Sequence, residues 1–192
     1  MSATLQPFGL KPIRHLNGKF VPPPRAIPGG IASAYGTAIY SGDPVIMATT
    51  GVLQIGGSSG DLYGVFAGCA FTPSNVGLFT PSMSWPASQA YISDNQMYAY
   101  VYEDPGIIYE IQCAGSLTQT SVGDQANVTN IATGNNGQSV VELSSSLAGA
   151  GSQAQFRIVG LSERIGNAWG DAFTIVEVML AQSQYVSNKV AI

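Results

Sequence analysis

The chain has 192 residues, a formal charge of −4, 45% hydrophobic residues and only 9% charged residues. That length suits one domain, or one domain with an extension, and it can bury a core without disulfides. A charged fraction so far below the roughly 25% of an average soluble domain leaves Ser, Thr, Asn, Gln and Gly to build the polar surface.

Neutral groups cost less to desolvate than ions, so such a surface suits a subunit covered by other proteins. A secreted Ser/Thr/Gly-rich β-protein would share the composition. Cys69 and Cys113 are too few for a disulfide framework, and both sit in apolar runs that suit buried free thiols. Met1-Ser2-Ala3-Thr4 lacks the charged start and apolar run of a signal peptide, and no stretch approaches the ~20 apolar residues of a membrane span. The expectation is a protein made and kept in a cytoplasm.

Residues 1–30 read as an extended basic arm, and residues 31–192 as a β-rich body. Four of the seven cations, Lys11, Arg14, Lys19 and Arg25, lie in the first 25 positions, and no acid precedes Asp43. Positions 26 to 156 hold no cation and eight acids, so a cationic arm could lie across the acidic face of a neighbour. Four spread charges are few for phosphate tracking, which places nucleic acid behind protein as the arm's target. Six prolines, with the run Val21-Pro22-Pro23-Pro24, favour pre-extended polyproline II, which loses less entropy on docking. Phe8, Leu10, Leu16 and Phe20 read as apolar anchors among the cations Lys11, Arg14, Lys19 and Arg25. Deleting residues 1–25 should then leave a folded body, and unfolding would instead place the arm in the core.

Gly29-Gly30 turns into the body. Short strands follow at Tyr35–Tyr40, Val45–Ala48, Gly51–Ile55 and Leu62–Phe71, with a turn at Ser41-Gly42-Asp43-Pro44. Residues 72–93 read as a long irregular segment whose aromatics Phe79, Trp85 and Tyr91 are candidate partner contacts. Gln96–Tyr102 alternates, with Met97, Ala99 and Val101 on one face and Tyr98, Tyr100 and Tyr102 on the other. Glu103-Asp104-Pro105-Gly106 reads as a solvated turn, and Ile107–Gln112 as the returning strand of a hairpin. Asn136-Gly137 marks a second hairpin between Val128–Thr133 and Ser139–Leu143. A Ser/Ala/Gly linker at 144–153 precedes strands at Phe156–Leu161 and Ala172–Leu180. No helix longer than about two turns is expected, so the fold class is all-β, a barrel or sandwich of short antiparallel strands.

Residues for catalysis are sparse. His15 is the single histidine, lies in the arm and has no adjacent Cys or carboxylate to build a metal site or a triad. No G-x-S-x-G elbow and no phosphate-binding loop occurs. Asn127-Val128-Thr129 fits the glycosylation pattern, but a secretory route is not expected. The chain therefore reads as non-enzymatic, with no cofactor and no metal.

The ordered set Pro7-Phe8-Gly9-Leu10-Lys11-Pro12-Ile13-Arg14-His15-Leu16-Asn17-Gly18, Ser41-Gly42-Asp43-Pro44-Val45, Asp104-Pro105, Tyr109-Glu110-Ile111-Gln112, Val122-Gly123-Asp124-Gln125-Ala126-Asn127 and Arg157-Ile158-Val159-Gly160-Leu161 resembles the structural cement, or head-decoration, proteins of tailed bacteriophages. The resemblance implies a barrel-like β body without catalysis. It also implies homo-oligomers, dimers or trimers, that seat on the major capsid protein at the capsid surface. A tail or receptor-binding module reading glycans through Tyr98, Tyr100 and Trp85 is the alternative, and a small hydrolase trails both.

Overall fold

The computed structural model describes residues 4–18, 20–93 and 96–186. In chain order the strands are β1 (Lys11–His15), β2 (Arg25–Pro28), β3 (Ile39–Tyr40), β4 (Pro44–Met47), β5 (Leu53–Ile55), β6 (Gly64–Phe71), β7 (Thr80–Ser82), β8 (Ser84–Trp85), β9 (Tyr98–Tyr102), β10 (Ile107–Gln112), β11 (Gln125–Thr129), β12 (Gly134–Asn135), β13 (Gln138–Ser139), β14 (Glu142–Leu147), β15 (Phe156–Leu161) and β16 (Ile175–Leu180). Among the described residues there is no α-helix, and a 3-10 turn forms at Gln119–Ser121. The fold is all-β, with antiparallel sheets packed as a sandwich.

The first sheet has the order β1-β10-β16-β15-β11-β14. It curls until the far edge meets its second strand: Cys113 bridges Leu143, and the Ala114 N–H donates to the Leu143 carbonyl at 2.8 Å. Inside the curl lies one core, built on Tyr109, Ile111, Val128, Leu143, Phe156 and Val178. The second sheet has the order β2-β9-β6-β4-β5, with β7 added to the C-terminal half of β6. β6 is shared by two cores. Val65 belongs to the first, and Phe66, Cys69 and Phe71 to a second that also holds Trp85, Met97, Ala99 and Val101. A bulge after Phe66 lets it serve both, and Gly68 takes φ 146° there, with a notional Cβ only 2.9 Å from the Ser82 carbonyl oxygen.

Several sequence expectations hold locally. β9 alternates as read: Ala99 and Val101 are fully buried, while the three tyrosines are half-buried. β15 has the expected limits. Asn136 and Gly137 both take positive φ, 50° and 83°, as a two-residue hairpin turn with right-handed strand twist demands. That hairpin is the small β12–β13 ribbon, while the longer strands beside it pair as β11 and β14. The expected linker at 144–153 instead begins as strand, since β14 runs to Leu147. Of the strand expected over Tyr35–Tyr40, Ile39 and Tyr40 alone are strand.

Two expectations fail for non-local reasons. β9 and β10 are consecutive but form no hairpin: β9 lies between β2 and β6, and β10 between β1 and β16. The turn between them, held by the Gly106 N–H on Asp104 Oδ1 at 2.7 Å, carries the chain from one sheet to the other. All six residues of β10 are buried, so the strand needs cover on both faces, which a hairpin with the half-exposed β9 would not provide.

The N-terminal segment is also not a separate arm over its described residues. β1 pairs with β10 from Lys11↔Glu110 to His15↔Ile107, and β2 pairs with β9 from Arg25↔Val101 to Pro28↔Tyr98. Both are edge strands carrying proline, the position at which a missing N–H is tolerated.

Candidate functional site

The excursion between β6 and β9 is the most distinctive surface of the molecule. It leaves β6 at Phe71, turns at Pro73–Gly77, runs back as β7 and β8, and returns over residues 86–92. Its two limbs are stitched together by the Ser74 N–H on the Ala90 carbonyl at 3.1 Å and the Ile92 N–H on the Thr72 carbonyl at 3.0 Å.

The three aromatics singled out from sequence divide. Trp85 is fully buried, with its ring 5.1 Å from Phe71 and 6.1 Å from Tyr91. Tyr91 is 9% exposed, and its hydroxyl donates to the Ile31 carbonyl at 2.9 Å. These two are internal anchors, not partner contacts: a large ring excluded from water holds the excursion down and offers no surface to a partner. Phe79 alone is on the outside, at 51% exposure. With it stand Val76, Leu78, Met83 and Ile92, all more than half exposed.

Those four residues were not singled out from the sequence. A signal was present, because positions 62–93 contain no charged residue, and only Asp43 and Asp61 are charged between 26 and 93. Asp43 is fully buried, so the exterior of this third of the chain is almost free of charge.

The N-terminal candidates also divide. Leu10 is 2% exposed, sits in the first core and donates its N–H to the Gly42 carbonyl at 3.0 Å, which makes it a core residue and no docking anchor. Phe8 is partly buried beneath the Arg164 guanidinium, 4.3 Å from its ring centroid. Gln112, nearly buried, holds the segment before it with a side-chain amide that accepts from Gln6 N–H at 2.8 Å and donates to the Thr4 carbonyl at 3.0 Å. Arg14 pairs with Glu177 at 2.5 Å and Arg25 with Glu103 at 3.2 Å. Lys11 is exposed opposite Glu110 on β10. Leu16 and Phe20 are exposed, at 52% and 89%. Lys19 lies outside the described residues. Two of the cations expected to reach a partner are thus already neutralised within the chain.

Glu103 and Asp104 are likewise not a bare solvated turn. Glu103 also accepts from the Tyr63 hydroxyl at 2.6 Å and the Tyr185 hydroxyl at 3.2 Å, and Asp104 faces His15 Nε2 at 3.2 Å. Glu110, 6% exposed, accepts from Arg164 Nε at 2.7 Å, from a second Arg164 nitrogen and from the Ser162 hydroxyl. Burial alone would raise that carboxyl, but Arg164 and Ser162 outweigh it and hold the group below the usual range. Cys69 and Cys113 are buried free thiols, each pushed up to about 12 by burial, so neither is a reactive thiolate at neutral pH. No group of three or more His, Cys, Asp or Glu among the described residues is arranged to hold a metal ion.

Asp43 and Glu142 are buried without an ion pair among the described residues, Glu142 with Asn130 as its side-chain partner. Asp43 is fully buried at the junction of the 41–43 turn, the N-terminal segment and β13, accepting from the Ser139 hydroxyl at 2.5 Å and the Tyr40 N–H at 2.8 Å. Among the described residues no ion pair reaches it, and burial pushes its carboxyl up to about 6 from 3.8. A folded value above the unfolded one means that the fold favours the protonated form. The stabilisation is complete below pH 3.8 and is lost as pH rises through about 6. Two units correspond to about 3 kcal/mol. Asp43→Asn is therefore expected to flatten the difference in unfolding free energy between pH 4 and pH 8 by about that amount, measured by urea denaturation of both proteins. Equal pH slopes in the two proteins would refute the assignment.

Comparison with protein-family models, with curated proteins and with solved structures finds no match to this chain.

Proposed function

We propose that the chain is a structural subunit of a virus particle that binds the outside of the major capsid lattice, bridges neighbouring capsid subunits and stabilises the head. One observation carries the reading. Residues 26–93 put almost no charge on the surface, yet hold five apolar side chains of the excursion more than half exposed on a hydrogen-bonded framework. Exposed apolar residues cost little singly, but a rigid set of them on an uncharged face is the make-up of a surface that other protein covers. The ordered motifs of the N-terminal segment and of β10 support the capsid as that protein, through their resemblance to head-decoration proteins.

The contact should be apolar, not ionic, because Arg14 and Arg25 are satisfied in cis. Purified protein is expected to bind expanded heads lacking it, and to stay bound at about 1 M salt, where the Debye length is only about 3 Å. Co-sedimentation with heads measures both. No binding at native salt would sink the proposal, and loss of binding on raising the salt would move the contact to the cations.

A tail-associated, glycan-reading module is the second reading. Tyr98 and Tyr100, half-buried on one face of β9, favour it, while the burial of Trp85 removes its strongest stacking group. Immuno-labelling of the tail rather than the head would select it.

A further inference from the structure

Glu142 opens β14 and is only 3% exposed, and among the described residues no cationic side chain pairs with it. Its cross-strand partner is Thr129, the last residue of β11. The neighbouring pair, Val128 and Leu143, points into the first core, so alternation turns Thr129 and Glu142 together onto the other face of the sheet. Asn130 follows with φ 58°, and its side-chain amide donates to Glu142 Oε2. Two oxygens are left over. Glu142 Oε1 and Thr129 Oγ1 are the two buried side-chain N or O atoms without a hydrogen-bond partner among the described residues, and they belong to residues directly opposite each other.

Three species could answer such a pair of oxygens. A water would bridge them but leave the charge of the carboxylate buried and uncompensated. A proton on Oε1 would remove the charge but leave Thr129 as it is, because the two oxygens do not reach each other. A metal cation answers both, since it offsets the charge and takes lone pairs from the carboxylate and the hydroxyl together. Burial raises the Glu142 carboxyl above its usual range, with the Asn130 amide opposing the rise, and a cation at Oε1 would restore the ionised form. The donors are all oxygen, which suits a hard ion and not zinc or copper. A set of one carboxylate and one hydroxyl at a strand edge is irregular. Ca2+ tolerates such a set and fills its remaining positions with water or carbonyl oxygens, whereas Mg2+ demands near-octahedral geometry and gives up its waters reluctantly.

We propose that Glu142 Oε1 and Thr129 Oγ1 bind a hard metal cation, Ca2+ above all, at the seam where the first sheet closes on itself. Leu143, next to Glu142, bridges Cys113 and accepts from the Ala114 N–H at 2.8 Å, the contacts that close the sheet. An ion held by one side chain from β11 and one from β14 pins the two strands together beside that closure. The inference is independent of the capsid proposal, because it concerns the isolated protein.

Equilibrium dialysis and thermal unfolding of chelator-treated protein, with CaCl2, MgCl2 or NaCl at constant ionic strength, test it on wild type, Glu142→Gln and Thr129→Val. Wild type is expected to bind one Ca2+ per chain and to gain about 5–10 °C in midpoint at about a hundredfold excess over Kd, with smaller gains from Mg2+ and Na+. Glu142→Gln keeps the size of the side chain and its contact with Asn130 but removes the charge, and is expected to abolish both the binding and the gain. Thr129→Val keeps the branched shape and is expected to weaken Ca2+ binding at least about fivefold. An unchanged near-ultraviolet spectrum confirms folding, and if Glu142→Gln fails it, Thr129→Val carries the comparison. A wild type indifferent to Ca2+ overturns the proposal and leaves the two oxygens to water or a proton. Ca2+ binding that persists undiminished in a folded Glu142→Gln or Thr129→Val protein overturns it as well, because the ion then sits on other acids.

Discussion

Deletion of residues 1–25 is expected to abolish cooperative folding rather than trim an appendage. The deletion removes β1 from the edge of the first sheet and exposes the edge of β10, whose six residues are all buried in the intact chain. It removes Leu10 from the core, and the burial lost at such a site alone costs about 2–5 kcal/mol. It also strips Gln112 of its partners and leaves Glu177 and Glu103 without Arg14 and Arg25. Against a total stability of about 5–15 kcal/mol, these losses leave little. Circular dichroism with urea titration checks the outcome, and Leu10→Ala, expected to cost about 2–5 kcal/mol on its own, separates core loss from gross truncation. A truncated chain with the wild-type transition would return the segment to the status of a free arm.

Trp85→Ala is expected to cost about 3–5 kcal/mol, because it empties the centre of the Phe71–Trp85–Tyr91 cluster and leaves a cavity under the excursion. A partner-contact residue at the surface would change stability by no more than about 0.5 kcal/mol. Thermal and urea unfolding of the isolated protein therefore discriminate the two roles without any partner. Phe79→Ala, at a half-exposed position on the same excursion, is the matched control and should leave the midpoint nearly unmoved. Equal effects of the two substitutions would show that the division of the excursion into inner anchors and outer surface is mistaken.

The N-terminal segment and the excursion show why a reading of residues succeeds in one respect and fails in another. Leu10, Trp85 and Tyr91 are recognisably apolar or aromatic and sit in Pro-rich stretches without regular alternation. Nothing local says whether such a residue meets a neighbouring protein or the chain's own core, since the desolvation that drives it is the same in both cases. The partners are far away in sequence: Leu10 bonds Gly42 and lies in the core with Val178, and Tyr91 bonds Ile31. The cations follow the same rule. Arg14 and Arg25 look free in an acid-poor segment, but Glu177 and Glu103 lie 163 and 78 positions away.

The sequence by itself determined the all-β class, the alternating face of β9, the Asn136-Gly137 turn, the limits of β15 and the buried, unpaired state of Cys69 and Cys113. These depend on side-chain period and on local backbone preference, which a short window of residues contains. Only the tertiary structure decided that β9 and β10 part into different sheets, that the N-terminal segment supplies an edge strand to each, and that the excursion turns Phe79 outward and Trp85 inward. Strand pairing satisfies N–H and C=O groups that are alike at every position, so the choice of partner rests on how buried faces fit across the whole molecule.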